Sequence, residues 1–394
     1  MIEALAVVSW IAAIAVSVPL LIFSLEVLLG LWVGRPHKRI SCEPSTCILI
    51  PAHNEEMIIK ATLDRLHPIL PTNASILVVA DNCSDQTAEI VRQLGFAVLE
   101  RFDDDRRGKG FALAHGRDWL SKRPPECVII FDADCTTDAG SLDDLIQYST
   151  AKAAVVQAAY AFEPDHSVAA KVQISNFAFW VKNVVRQRGT QRLGGSAILT
   201  GTGMAFPWKI FAEVPLATAN IVEDLALTID LARAGKAPHF LNQAKVSSVA
   251  AIETATLEQR SRWEHGFLDV ARRQGLPILF VGLKRLDRKA MLLGLHLLVP
   301  PLALLLMTAL AAVVILASLA GIVAYWYPLF TVLGFLCLSL VSVLLAWLSG
   351  GHRWLKGTAM ALLPMYLFWK IPVYLRYGLG HTATWVRTNR SDNS

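Results

Sequence analysis

Asp132-Ala133-Asp134 stands directly behind the apolar run at residues 128–131. Two carboxylates two residues apart at a strand end face the same way, because side chains alternate along an extended chain. The pair suits one hard divalent cation, Mg²⁺ or Mn²⁺, bridging to both phosphates of a nucleotide-sugar so that a departing diphosphate is stabilised. A three-residue acidic motif is also common in solvated turns, so its meaning depends on what the chain gathers beside it.

Other stretches offer partners. Pro51-Ala52-His53-Asn54-Glu55-Glu56 follows an apolar run at 47–50; Asn54 can cap a helix, Glu55 can bond a hydroxyl, and the loop can receive a base or ribose. A plain N-cap with acidic first-turn residues explains the same hexapeptide. Asp81 closes the next apolar run and can accept from a pyrimidine imide N–H or a ribose hydroxyl, while Ser84 or Asp85 can cap the helix that follows. In Arg106-Arg107-Gly108-Lys109-Gly110 the glycines let backbone approach a phosphate that Lys109 neutralises, although the spacing is not GxxxxGK[ST] and a solvated basic turn fits as well.

Gly201-Thr202-Gly203 precedes another apolar run, and Glu223-Asp224 opens an apolar helix at 225–234. Acidic residues at a helix start ordinarily serve the dipole. If an acceptor hydroxyl reaches the anomeric carbon there, a carboxylate must take its proton; Asp224 is the general-base candidate and Glu223 the reserve, since Asp132 and Asp134 are committed to metal. On a helix Gln259, Arg262 and Trp263 share one side, where an amide, a cation and an indole can meet a diphosphate and a sugar ring. An amphipathic helix on a membrane surface would use Trp263 with Phe267 and Leu268.

These groups need a scaffold that brings strand ends together. Residues 47–50, 76–80, 97–101 and 128–131 read as strands, and 58–66, 87–94 and 110–120 as helices. The alternation predicts an α/β domain with a mostly parallel central sheet, whose ligands collect beyond the carboxyl ends of the strands. The acidic residues fall there.

The chain of 394 residues is 54% hydrophobic with a net charge of +5, and its apolar excess lies at the ends. Residues 4–33 read as an uncleaved anchor, 291–320 and 328–349 as spans, and 357–375, which carries Lys370, Pro364 and Pro372, as a third span or an interfacial segment. Basic clusters at 35–39, 284–289 and 352–356 put the central domain on the cytoplasmic side of a bacterial inner membrane, and Arg376, Arg387 and Arg390 favour that side for the tail if 357–375 lies in the interface. The expected organisation is an anchor at 1–34, a catalytic domain at 35–290 with interface helices near 170–188 and 257–275, a membrane region at 291–380 and a polar tail at 381–394. The positive charge flanks apolar segments, so anionic lipid and not nucleic acid is the expected partner. Cys42, Cys47, Cys83, Cys127, Cys135 and Cys337 form no CxxC pair, which points to reduced thiols without zinc or disulfides. A transporter would carry its acids inside the spans, whereas here they cluster in the polar domain.

The ordered set PAHNEE at 51–56, ADNCSDQT at 80–87, GKG at 108–110, DAD at 132–134, GTG at 201–203, ED at 223–224 and QRSRW at 259–263 resembles the family 2 glycosyltransferases with a GT-A fold. The terminal segments resemble, in topology only, the membrane-integrated branch that includes cellulose, chitin, hyaluronan and poly-N-acetylglucosamine synthases. The resemblance implies that Pro51, Asn54, Glu55, Asp81, Lys109, Asp132, Gln259 and Arg262 surround a UDP-sugar, with Asp81 on the uracil. It further implies that Asp134 ligates Mg²⁺ or Mn²⁺ beside Asp132, that Asp224 is the base, and that Thr202, Gly203, Glu223 and Trp263 face the acceptor. The implied reaction is inverting transfer to a growing β-linked glycan for envelope polysaccharide, with an export partner or a homo-oligomer around it. The membrane part is smaller than in cellulose synthases and no FxVTxK loop is found, which leaves addition of one sugar to a lipid-linked acceptor open, together with a catalytically silent glycan-binding role.

Overall fold

The computed structural model describes residues 2–34, 37, 43–217, 222–249 and 253–379. Cys42, most of the 35–39 basic cluster, Arg387, Arg390 and the tail at 381–394 lie outside them. The described residues fall into two compact units, one within Val33–Glu163 and Ser196–Ala250, the other within Met1–Trp32, Pro164–Gly195 and Ala251–Ser394. Segments 164–195 and 251–290, placed with the sheet domain by the sequence reading, therefore group with the apolar helices.

The first unit is built on eight strands: β1 (Thr46–Ala52), β2 (Ala74–Asp81), β3 (Ala97–Arg101), β4 (Cys127–Ile130), β5 (Cys135–Thr137), β6 (Val156–Phe162), β7 (Met204–Pro207) and β8 (His239–Ser248). Runs such as Ile48-Leu49-Ile50 and Val128-Ile129-Ile130 are wholly buried, as strands covered on both faces require. Leu49, Leu77, Val79, Ile130 and Phe206 form part of one core. The sheet order is β3-β2-β1-β4-β7-β6-β8-β5. β1, β2, β3 and β4 run parallel, but β7 is antiparallel to both β4 and β6, and β5 is antiparallel to β8. The sheet is thus mixed, not mostly parallel as expected from the helix-strand alternation. No helix separates β4 from β5, and β7 enters beside β4 in reverse, so the later strands do not extend the parallel βαβ pattern, although β6 and β8 pair in parallel.

Two local differences matter for the site. Pro51 lies inside β1, beyond the last residue that β4 pairs, where only β2 flanks the strand and the missing N–H is tolerated. Asp132 and Asp134 lie past the end of β4 in a turn closed by the Cys135 N–H donating to Asp132 O at 3.1 Å. A turn, not strand alternation, sets their directions.

The second unit is helical. Three helices among the described residues are long and apolar enough to cross a membrane: Glu3–Gly30, Leu302–Val323 and Tyr327–Ser349. The expected span at 291–320 is broken: a helix ends at Leu297, and Pro300-Pro301 stops any continuation before the next begins at Leu302. The 357–375 segment becomes a short turn and a 16-residue helix, Leu363–Gly378. Its Lys370 is wholly buried because Nζ donates to Glu264 Oε1 at 2.8 Å, and Tyr374 donates to the other Glu264 oxygen at 2.9 Å.

Glu26, which interrupts the N-terminal apolar stretch, is also buried and fully engaged. Its carboxylate accepts from Arg186 Nε at 2.7 Å and Thr190 Oγ1 at 3.2 Å, with His296 Nδ1 at 2.8 Å. Gly189 makes this crossing possible, since a Cβ there would lie 1.8 Å from Glu26 O.

Candidate active site

Parallel pairing of β1, β2, β3 and β4 brings their carboxyl ends to one edge of the sheet, so the segments after Ala52, Asp81, Arg101 and Ile130 converge there. The reversed β7 adds a fifth segment. Met204 pairs with Ile130, which sets Gly201-Thr202-Gly203 beside the Asp132 turn.

The first two loops are fastened to each other. Asn54, with φ of 55°, accepts from the Ser84 N–H at 2.7 Å; Glu55 N–H donates to Thr87 Oγ1 at 2.8 Å; Glu56 N–H donates to Asp85 Oδ2 at 3.1 Å. Asn54 therefore binds a neighbouring loop instead of capping its own helix, which starts only at Ile59. Asp81 is buried at the end of β2, and its Oδ1 accepts from Arg101 Nη1 at 2.6 Å.

At the centre, Lys109 Nζ donates to Asp132 Oδ1 and, at 2.8 Å, to Gly201 O. Burial alone would lower the lysine's pKa, but the negative charge of Asp132 and then of Glu223 outweighs it and holds the ammonium above its usual range. Gly201, with φ of +86°, sits between charges: a Cβ there would lie 3.3 Å from Lys109 Nζ and 3.7 Å from Asp224 Oδ2. Asp224 Oδ1 accepts from the Leu225 N–H at 2.8 Å, which fixes the carboxylate at the start of helix Glu223–Arg233. Withdrawal from solvent, reinforced by Asp224, pushes the Glu223 carboxyl up to about 7.

Asp132, Asp134 and Cys135 offer ligand atoms that all lie within 4.8 Å of one another. The two half-buried carboxylates fit a hard divalent cation. Burial pushes the Cys135 thiol well above its ordinary pKa, so it stays protonated and donates to Asp134 Oδ1 at 3.5 Å.

Thr202 and Gly203, expected to face an acceptor, are both buried. Thr202 Oγ1 accepts from the Asp132 N–H at 3.1 Å, and Gly203 bridges strands by donating to Ile130 O and accepting from the Ala158 N–H, each at 2.9 Å. They support the acidic turn from beneath because the β7 reversal carries them into the sheet. Gln259, Arg262 and Trp263 lie on the long helix Glu253–Arg285 of the helical unit, where Trp263 packs 5.8 Å from the Phe179 ring. Two groups here were not singled out by the sequence. Gln157, wholly buried in β6, accepts from the Thr200 N–H and donates to Thr202 O; the one signal was a glutamine in an otherwise apolar strand. Arg101 carried none beyond its place at a strand end.

The family model described as glycosyltransferase like family 2 matches residues 44–266, over half of the chain and every motif named above. The chain belongs to that family. Probable glycosyltransferase YdaM of Bacillus subtilis (strain 168) is 31% identical to this family 2 glycosyltransferase over 103 residues, an alignment that spans 24% of either chain. Among solved structures, the mannosyltransferase PcManGT from Pyrobaculum calidifontis, in complex with GDP-Man and Mn²⁺, superposes with a TM-score of 0.52 at 18% identity, over 87% of this chain and 99% of that one. Glucosyl-3-phosphoglycerate synthase from Mycobacterium tuberculosis matches with a TM-score of 0.40 at 18% identity, over 57% and 78% of the two chains. The fold of this family 2 glycosyltransferase is accordingly GT-A-like. The comparisons do not single out the cellulose, chitin or hyaluronan synthase branch.

Proposed function

We propose that the protein transfers a single sugar from a UDP-sugar to a lipid-linked saccharide acceptor at the cytoplasmic face of a bacterial inner membrane, with Mg²⁺ or Mn²⁺ bound at Asp132 and Asp134. The observation that carries this reading is the convergence of the Asp132 and Asp134 carboxylates with Lys109, which bonds both Asp132 and Gly201 O, and with Asp224, whose carboxylate lies beside Gly201. Single addition is preferred to polymer synthesis because three helices of spanning length among the described residues are few for a channel that threads a growing glycan; the mannosyltransferase matched along 87% of the chain bears on the fold alone. That relative was solved with Mn²⁺, in keeping with the cation chosen here, and with a guanine nucleotide, so the fold alone leaves the base open.

A divalent cation held by Asp132 and Asp134 supplies positive charge to the leaving diphosphate. Lys109 adds a fixed ammonium on the same side and keeps Asp132 oriented. Asp224 takes the proton of the attacking hydroxyl, with Glu223 beside it as reserve, and attack opposite the diphosphate inverts the anomeric carbon. Asp81 meets the base, Asn54 and Glu55 shape the loop around it, and Gln259, Arg262 and Trp263 serve the diphosphate and the acceptor. The three apolar helices provide the membrane attachment.

The test is to incubate the full-length protein in nanodiscs with a panel of UDP-sugars, membrane lipid extract and Mn²⁺, and to follow UDP release with product length. A product carrying one added sugar, lost on chelation and in Asp134→Asn, is expected; Asp224→Asn should fall by about 10²-fold or more. A ladder of products would restore the polymerising reading, and full turnover in Asp224→Asn would remove that residue as the base.

A further inference from the structure

We propose that Arg101 sets the choice of base in the donor, by occupying one oxygen of Asp81 and leaving the other for the single N–H that uracil presents. This rests on the reading of Asp81 as the base contact and deepens it. Asp81 and Arg101 are paired residues at the ends of β2 and β3. Arg101 Nη1 donates to Asp81 Oδ1 at 2.6 Å, and Asn82 Nδ2 donates to the same oxygen at 3.2 Å. Among the described residues none is hydrogen-bonded to Oδ2.

The arrangement is held from behind. Arg101 Nη2 donates to Asp103 Oδ2 at 2.9 Å and to Arg106 O at 2.7 Å, and its guanidinium lies 5.6 Å from the centre of the Phe111 ring. Asn82 Oδ1 accepts from the Asp103 N–H at 2.8 Å, which fixes which end of that amide faces Asp81. With side-chain exposures of 8% for Asp81 and 10% for Arg101, the carboxylate cannot swing to offer Oδ1 without abandoning a buried cation.

The chemistry of the two bases then separates them. The pairing edge of uracil reads acceptor, donor, acceptor, so one N–H meets Oδ2 while a flanking carbonyl faces the donors gathered at Oδ1. Guanine presents two adjacent N–H donors, which together need both oxygens of a carboxylate. The second would meet an oxygen already filled, beside a fixed positive charge, and its own hydrogen bond would go unmade.

Isothermal titration of UDP and of GDP into the full-length, detergent-held protein with Mn²⁺ tests this. Wild type should bind UDP at least about tenfold more tightly than GDP, the worth of one hydrogen bond to a charged group. Arg101→Met should shrink that ratio by about tenfold through weaker UDP and stronger GDP binding, whereas Arg101→Lys, which keeps a cation against Oδ1, should retain most of it. Thermal unfolding shows which variants are folded. Equal wild-type affinities overturn the proposal whatever the variants do, as does a folded Arg101→Met that weakens both nucleotides alike or neither. Asp81→Asn separates the two layers: unchanged UDP binding there sinks the base-contact reading itself, while lost UDP binding with an unmoved ratio in Arg101→Met sinks the role of Arg101 alone.

Discussion

Thr202 illustrates how a buried hydroxyl can govern a half-buried acid. Its Oγ1 is the acceptor for the Asp132 N–H, so Thr202→Val leaves a backbone donor without a partner beneath the acidic turn, at a cost of about 1–3 kcal/mol. The expected outcome is a lower unfolding temperature together with weaker Mn²⁺ binding, read by thermal unfolding with and without the ion, and recovery in Thr202→Ser. Glu223 gives a pH signature. Its folded pKa of about 7 stands above the ordinary value of 4.5 because it is withdrawn from solvent and repelled by Asp224. A carboxyl with a raised folded pKa contributes stability that is fully present below the unfolded pKa and is lost as pH rises through the folded one. Stability should therefore fall between about pH 4.5 and 7, and Glu223→Gln should flatten that slope, raising the unfolding temperature more at pH 8 than at pH 5.

Among the elements, β7 does the most to assemble the site. Running antiparallel between β4 and β6, it lays its leading residues against the end of β4 and carries the glycine turn to the acidic edge. Gly203 permits this with φ of +63° in a space where a Cβ would lie 2.8 Å from Val246 Cγ2 and 3.0 Å from Ala158 Cβ. Gly203→Ala combines a left-handed backbone with contact against two strands, and should destabilise by about 1–3 kcal/mol. The loss should appear in denaturant unfolding and, because Thr202 moves with it, as reduced metal affinity. Gly235→Ala offers a comparison: its φ is +73° but nothing lies within 4 Å of the added carbon, so it should lose less.

On the scale of the molecule, the helical unit joins its apolar N-terminal helix to the rest through a buried ionic cluster. Arg186 and Glu26 are 5% and 3% exposed, so Arg186→Met strands a carboxylate in the interior and should cost about 3–5 kcal/mol, while pairing it with Glu26→Gln should recover a large part. Unfolding temperatures of the single and double variants in detergent give the comparison. The three helices of spanning length predict that the protein stays with membranes through alkaline carbonate washing; release into the supernatant would remove the membrane attachment from the proposed function.

The sequence by itself determined the chemistry available and the place where it collects. Asp81, Lys109, Asp132 and Asp134 were legible because apolar runs end just before them or a glycine turn holds them, and parallel strands bring such ends to one edge. The apolar ends were legible because length and hydropathy are local properties, although Pro300-Pro301 moved one span to Leu302. Depth and partnership were not local. Only the tertiary structure decided that Thr202 and Gly203 lie beneath the acidic turn, that Arg101 grips Asp81, and that Glu26 is paired and not exposed to lipid. Each depends on which strand or helix comes to lie beside another, and in the sequence those partners stand from 20 to 270 positions apart.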